Sequence, residues 1–259
     1  MNNREKIEPC RLTASEAARL IKERKLSCEE LVRSCLSRIE SRDGDVKAWL
    51  HVDPELAVRA ARELDKSSPK GVLHGIPIGV KDIIDTVDFP TTQNSAIYAA
   101  TRVGRDAACV AVARASGALV LGKTDTVEFA SGGRRALTRN PHNLAHTPGG
   151  SSSGSGAAVA DFMVPLAFGT QTGGSLIRPA AFNGIYGMKP SWNRVSREGC
   201  RMSSPTLDTV GWCGRSVDDL ALMAEAFRIS KVPGNIALSG LRVGVCKSPA
   251  WPAIEPPGQ

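Results

Sequence analysis

The sequence predicts an α/β protein, a sheet with helices packed on its faces. Three observations carry this. The first third of the chain has helical periodicity with clear start signals. Beyond it, Gly75 to Asp82 is a short β-type run punctuated by glycine, and a helix starting at Asp106 is followed by the apolar strand Ala118 to Gly122. That strand–helix–strand rhythm belongs to sheets covered by helices.

The helical third has three elements. Thr13-Ala14-Ser15-Glu16 is a capping box, in which the Thr hydroxyl and the Glu carboxylate satisfy each other's backbone N–H groups; Ala17, Leu20 and Ile21 follow. Ser27-Cys28-Glu29-Glu30 is a second box, and Leu31, Val32, Cys35, Leu36 and Ile39 then form one stripe. Cys28 and Cys35 fit that helix as small core residues. Asp53-Pro54 starts the third helix, with Asp as cap and Pro at the first helical position.

Further along, Asp106 to Ala115 is an amphipathic helix and Ala118 to Gly122 a buried strand. A Gly/Ser loop spans Pro148 to Gly156, with a helix expected from Ala157, a strand over Val164 to Phe168, and a second glycine turn from Thr170 to Arg178. Ser216 caps a helix carrying Leu220, Leu222, Met223 and Phe227. A last strand is expected at Leu241 to Val245, and Pro249 to Gln259 has the composition of a tail. No internal repeat is visible.

Composition excludes several classes. The chain is 42% hydrophobic and 23% charged, ordinary for a soluble globular protein, and 259 residues suffice for a sizeable core. The net charge of +7 is scattered, Arg102, Arg105, Arg134, Arg135 and Arg139 being its densest stretch, and only 5% of residues are aromatic, too few for a stripe of interleaved rings. A solvated basic surface fits better than a nucleic-acid surface. Seven cysteines without a C-x-x-C pair speak against a disulfide framework and a structural zinc site. The N-terminus shows no secretory pattern, and the longest apolar stretch, broken by Arg114 and two glycines, is unsuited to a bilayer. The expectation is a reduced, cytoplasmic protein without a membrane partner.

Three segments bear chemistry. Gly149 to Gly156 has the composition of a flexible linker, yet it precedes an apolar segment that belongs inside a sheet, where a domain linker is out of place. A phosphate cradle is a further option, but the Gly-Lys-Ser/Thr ending of a Walker loop is missing. Thr170-Gln171-Thr172-Gly173-Gly174-Ser175 places two glycines before a serine, baring successive N–H groups beside a hydroxyl. That suits an oxyanion hole with its nucleophile attached, although a simple turn has the same composition. It is not a Gly-x-Ser-x-Gly elbow. Lys81 lies among Ile76, Ile78, Val80, Ile83 and Ile84, where desolvation lowers a lysine pKa; a lysine at a strand end is otherwise simply exposed. None of His51, His74, His142 and His146 sits in a setting that singles out a base. His142 and His146 lie in a proline-flanked loop without an acidic neighbour, so no metal site is expected.

Together these segments resemble the amidase signature family. The resemblance is carried by Gly149-Gly150-Ser151-Ser152 through Ala160, by Gly169-Thr170-Gln171-Thr172-Gly173-Gly174-Ser175, by Arg178 to Phe182, and by Gly75 to Asp82. Gly122-Lys123-Thr124, Glu128-Phe129-Ala130 and Leu207 to Gly211 continue it along nearly the whole chain. The resemblance implies a mixed, largely parallel central sheet flanked by helices on both faces, in one domain over residues 1–259. Its helical N-terminal region would be 11–66 and its signature core about 71–215. The resemblance further implies an amidase with a Ser-Ser-Lys triad: Ser175 as nucleophile, Ser151 as proton relay after a cis Gly150–Ser151 bond, and Lys81 as base. Backbone N–H groups around Thr172, Gly173 and Gly174 would form the oxyanion hole. No cofactor or metal is implied; the partner would be a small-molecule amide, and a homo-oligomer is an option.

Two departures stand out. Gln171 replaces the Asp of many members and Arg178 lies one position late, both marks of a bacterial subgroup. Members are also longer: the strand at Leu241 to Val245 usually opens a second half that is absent here, so the fold is expected to be incomplete and the isolated chain weakly active. Three functions stay open: a free amidase, the glutaminase subunit of a tRNA-dependent amidotransferase, and an inactive remnant or interaction module.

Overall fold

The computed structural model describes residues 7–229, 239–247, 249 and 251–253. The N-terminal helices form where their start signals lie. α1 (Ala14–Lys22) and α2 (Cys28–Val46) each open with a complete capping box, on Thr13 with Glu16 and on Ser27 with Glu30. α3 (Pro54–Lys66) is capped by Asp53, whose carboxylate accepts the Leu56 N–H at 2.9 Å. Asp65, near the end of α3, accepts the N–H groups of Cys28 and Glu29 and so fastens α3 to the start of α2. Cys28 and Cys35 are fully buried.

Six strands make one open, mixed sheet: β1 (Trp49–Val52), β2 (Pro77–Lys81), β3 (Leu119–Thr124), β4 (Leu166–Gln171), β5 (Tyr186–Met188) and β6 (Thr209–Gly214), in the order β1-β3-β2-β4-β6-β5. The three central strands β3, β2 and β4 run parallel. The flanking pairs β1–β3, β4–β6 and β5–β6 are antiparallel. The parallel centre matters for the site, because it brings the C-terminal ends of β2 and β4 to the same edge of the sheet.

The structure redraws several boundaries. α4 (Ala108–Ala115) begins two residues beyond Asp106, whose carboxylate instead accepts the Val87 N–H at 2.9 Å and pairs with Arg114. α5 (Ser153–Ala160) begins four residues before Ala157, inside the segment whose composition suggests a loop. All eight of its residues are buried, and it packs against β2, β3, β4 and β6. Its small residues are what permit that seat: a Cβ on Gly154 would fall 2.2 Å from the Ala48 carbonyl oxygen and 2.4 Å from the Asp125 nitrogen.

β4 runs past Phe168 to Gln171, so Thr170 belongs to a strand and not to a turn. β1, β5, β6 and the short helix α6 (Ile177–Phe182) are additions to the expected elements. The strand expected at Leu241 to Val245 does not form. That segment is irregular, with Val243 85% exposed and Val245 79% exposed. A strand needs a neighbour to take its ladder hydrogen bonds, and among the described residues none pairs with it. Of the tail, Trp251–Ala253 forms one 3-10 turn, and residues 250 and 254–259 lie outside the described residues.

α7 (Val217–Ala226) closes the core, capped by Ser216 with Asp219 as expected. Phe227 stacks on Trp212 with ring centroids 5.5 Å apart and meets Phe168 edge-on at 6.0 Å. Asp219 also accepts the Ser15 N–H at 3.0 Å, joining α7 to α1. The Arg215 guanidinium donates to the carbonyls of Val159, Val164, Cys10 and Leu12, which ties the N-terminal segment to the sheet.

Candidate active site

Lys81 is the last residue of β2. Because side chains alternate along a strand, Lys81 and Asp82 leave it in different directions. Asp82 meets Lys123 in a fully buried ion pair at 3.2 Å, and its carboxylate also accepts the Thr92 N–H. Lys123 donates further to the carbonyls of Ile84 and Pro90 and to the Thr91 hydroxyl. Its charge is thus fully partnered.

Lys81 has a different environment. It is fully buried, with Nζ 2.8 Å from Ser151 Oγ and 2.8 Å from Thr170 Oγ1. Burial lowers its pKa to about 7, against a smaller opposing pull from Asp208 and then from Cys200 and Cys213. A lysine held there is largely a neutral amine just above neutrality.

Ser151 sits between loop and helix, immediately after a cis Gly150–Ser151 peptide bond. Three side chains hold this turn. Thr126 Oγ1 donates to the Ser151 carbonyl at 2.9 Å, Arg178 Nε to the Gly150 carbonyl at 2.9 Å, and Asn183 Nδ2 to the Pro148 carbonyl at 2.8 Å. Ser152, fully buried, accepts the Thr170 N–H at 3.2 Å and so fastens the turn to β4. Ser155 donates to the Phe168 carbonyl at 2.8 Å. The serine cluster therefore divides by contact: Ser151 faces the lysine, whereas Ser152 and Ser155 serve the strand.

Ser175 is half-buried at the end of the glycine turn. Its carbonyl accepts the Ser152 N–H at 3.0 Å, placing it directly beside the Ser151–Ser152 turn. Its hydroxyl makes no hydrogen bond among the described residues. The structure thus brings Lys81 and Ser151 into direct contact and links Ser175 to them through backbone.

The turn before Ser175 is organised by Gln171. Its side-chain oxygen accepts the N–H groups of Leu176 at 3.0 Å and Ile177 at 2.9 Å, closing the loop across residues 172–175. The N–H groups of Gly173, Gly174 and Ser175 donate to no backbone carbonyl among the described residues. Gly173 is exposed, and a Cβ there would meet nothing within 4 Å. Three adjacent donors thus lack a backbone acceptor among the described residues, which is what an anionic oxygen requires.

Two residues of this arrangement, Thr170 and Asp208, and the side-chain contact of Thr172 lie beyond what sequence reasoning singles out. Thr170 is the last residue but one of β4 and Thr172 lies just past its end, a pair visible in Thr170-Gln171-Thr172. Asp208 accepts the Thr172 hydroxyl, a contact that depends on β6 and has no local signal. Thr170, Thr172, Cys200, Met202 and Asp208 line a small cleft beside Lys81. A larger trough of about 1950 Å³ lies between α1, the start of α2, residues 65–74 and α7. It contains none of these residues, so chemistry and not size marks the site. His142, weighed as half of a metal pair, instead contacts the Asn183 carbonyl at 2.9 Å. No helix among the described residues is long and apolar enough to cross a membrane.

By fold and site the chain is an α/β protein with a buried lysine–serine pair at the C-terminal edge of a parallel sheet centre, beside a glycine turn of free N–H groups. It belongs to the amidase family, whose profile matches residues 30–256. The A-type subunit of the glutamyl-tRNA(Gln) amidotransferase from Salinispora arenicola is 38% identical over 273 aligned positions, covering 95% of this chain and 56% of the relative. The protein of the same name from Mycobacterium leprae is 42% identical, covering 83% of this chain and 46% of its own length. The peptide amidase of Stenotrophomonas maltophilia superposes with a TM-score of 0.78 at 32% identity, over 87% of this chain and 51% of that structure. A fatty acid amide hydrolase superposes with a TM-score of 0.80 at 26% identity, over 86% and 42%. The chain spans about half the length of the curated relatives it matches.

Proposed function

We propose that the chain hydrolyses a linear carbon–nitrogen amide bond through an acyl-enzyme on Ser175. The observation that carries this reading is the buried contact of 2.8 Å between Lys81 Nζ and Ser151 Oγ. As a neutral amine, Lys81 donates one hydrogen bond to Thr170 and keeps its lone pair for the Ser151 hydroxyl. Ser175 Oγ attacks the amide carbonyl while its proton passes to Ser151 and the Ser151 proton passes to Lys81. The carbonyl electron pair moves onto oxygen, where the N–H groups of Gly173, Gly174 and Ser175, with Thr172 at the head of the turn, stabilise it. When the oxyanion collapses, the carbon–nitrogen bond breaks and the proton returns through Ser151 to the leaving nitrogen. Water then attacks the ester, using the same relay, to release the acid. None of these steps needs a histidine or a cofactor.

The family membership and the free N–H groups of the glycine turn support this reading. A second reading is favoured by the curated relatives' name: the amide would be glutamine, and the released ammonia would pass to a partner protein that modifies a tRNA-borne substrate. The two share all the chemistry above and differ in whether a partner is required. The test is labelling with a fluorophosphonate followed by peptide mapping. The expected adduct is on Ser175; an adduct on Ser152 or Ser153 with Ser175 unmodified overturns the assignment.

A further inference from the structure

Asp208 belongs to neither the lysine–serine pair nor the glycine turn, yet its carboxylate reaches both sides of the cleft. Oδ1 accepts the Thr172 hydroxyl, and Oδ2 accepts the N–H groups of Ser203 at 2.6 Å and Ser204 at 2.8 Å. The antiparallel register explains the first contact. The ladder ends with Gln171 opposite Thr209, and Thr172 and Asp208 are the residues just beyond that last pair on the two chains. Thr170, which touches Lys81, and Thr172, which lies just past the end of β4 and touches Asp208, both line the cleft.

A carboxylate only 8% exposed costs free energy unless it is fully hydrogen-bonded, and here all its contacts are made to one end of the proposed oxyanion loop and to the opposite wall. Burial alone would raise its pKa, but the bonds from Thr172, Ser204 and Ser203 and the nearby Arg197 outweigh it and keep the group ionised. The charge is therefore permanent near neutrality. Other groups bear on Lys81 too: Cys200 in the wall of the cleft, Cys213 buried in β6, and the neighbouring Asp82–Lys123 pair, in which opposite charges lie against each other.

We infer that Asp208 is a positioning residue for the proposed hydrolysis, an inference that rests on that reading: it clamps Thr172 at the head of the N–H turn and sets a fixed negative charge in the cleft lined by Thr170, the hydrogen-bond partner of Lys81. Two separable effects follow. The clamp fixes where the N–H donors point, so its loss lowers the rate at every pH. The charge favours the protonated form of Lys81, so its loss moves the acid limb of the rate profile to lower pH.

The experiment measures the second-order rate of fluorophosphonate labelling at Ser175 from about pH 5 to 10, a span that brackets a perturbed lysine. It uses the full chain and Asp208→Asn, Asp208→Glu and Thr172→Val. Asp208→Asn is expected to lower the plateau on the order of tenfold or more, as misplacement of reacting groups does, and to shift the midpoint downward. Asp208→Glu should restore the midpoint, and Thr172→Val should lower the plateau while leaving the midpoint in place. A purely structural role would move no midpoint. If the wild-type chain does not label, the proposed function fails and this inference with it. If it labels and Asp208→Asn matches it in plateau and midpoint, this inference alone is overturned. Should Asp208→Asn lose cooperative unfolding, Thr172→Val decides: an unchanged plateau rules out the clamp.

Discussion

Lys81 Nζ lies 2.8 Å from Ser151 Oγ, with both residues buried, although 70 positions separate them in sequence. An ammonium group in that place would lose its hydration without gaining a carboxylate partner. Lys123, one strand away, is buried to the same extent but has Asp82 at 3.2 Å. Burial lowers the pKa of both lysines, but Lys123 has a carboxylate in contact that opposes the shift, whereas Lys81 has none and falls to about 7.

The first prediction concerns pH and rate. The proposed base works only when Lys81 is deprotonated, so labelling or hydrolysis should rise as pH passes through about 7 and then level off. Lys81→Ala should lose both the rate and this step. A profile that is flat, or that persists in Lys81→Ala, would count against the lysine.

The second concerns stability. The unfolded-state pKa of Lys81 is about 10.4, above its folded value near 7. Between these values the unfolded chain holds a proton that the folded chain lacks, so stability rises with pH across that window and is lowest below it. The buried thiols of Cys28, Cys35 and Cys213, raised to about 12, act oppositely once unfolded thiols ionise. The lysine effect is therefore clearest between about pH 7 and 8.5, below the ordinary thiol pKa. Lys81→Met, which keeps the volume and removes the charge, should flatten this slope and raise the unfolding midpoint at neutral pH while abolishing labelling. A destabilised Lys81→Met protein would contradict the picture of an unpaired buried amine.

The third separates the serines. Ser175→Ala should abolish labelling yet change stability by less than about 0.5 kcal/mol, since the hydroxyl is half-buried and without a bonded partner among the described residues. Ser152→Ala should still label, but unfold about 1 kcal/mol more easily, because it removes the acceptor for the Thr170 N–H. Urea titration alongside labelling distinguishes them, and the reverse pattern would exchange their roles.

The fourth tests why the Gly/Ser run forms a helix. Gly154→Ala puts a Cβ 2.2 Å from the Ala48 carbonyl oxygen and 2.4 Å from the Asp125 nitrogen, both backbone atoms that cannot rotate away. A loss of about 1–3 kcal/mol is expected, the usual cost of overpacking. A neutral or stabilised variant in urea titration would mean that α5 does not sit this close to the sheet.

That run also shows where local reading reaches its limit. The capping boxes at Thr13, Ser27 and Ser216 are legible because cap and partner lie three residues apart. The first half of α5, Ser153 to Gly156, reads as loop because its composition is that of a linker, whereas its small residues serve a contact with the sheet. β6 is hard to see because it is buried along its length and shows no alternation, and Gly211 is there for close approach to Met188 of β5. Leu241 to Val245 errs the other way: it alternates like a strand, but alternation supplies no partner. At the site, Lys81, Ser151 and Ser175 can be joined only through family resemblance, since nothing in the chemistry of one segment points to the others. Asp208 falls within a family-like segment but gains its contact with Thr172 only from the β4–β6 register.

The last prediction concerns Gln171. Its side-chain oxygen is the acceptor for two successive N–H groups, those of Leu176 and Ile177, at 3.0 and 2.9 Å. Gln171 and Leu176 are buried, so water is poorly placed to substitute at the Leu176 N–H, whereas Ile177 is 41% exposed. Gln171→Leu keeps the approximate volume and removes both acceptors, leaving donors unsatisfied at a cost of about 1–3 kcal/mol each when buried. Part of that cost is relieved if the turn over residues 172–175 opens, and opening it turns the N–H groups of Gly173, Gly174 and Ser175 away from their common target. The labelling rate should then fall on the order of a hundredfold, as for misplaced reacting groups, while the pH midpoint, set by Lys81, stays where it is. Gln171→Glu retains an oxygen that can accept both N–H groups and should recover most of the stability and part of the rate. If Gln171→Leu folds stably and labels as fast as the wild type, the turn holds its shape without the glutamine, and the bonds to Leu176 and Ile177 do not organise the site.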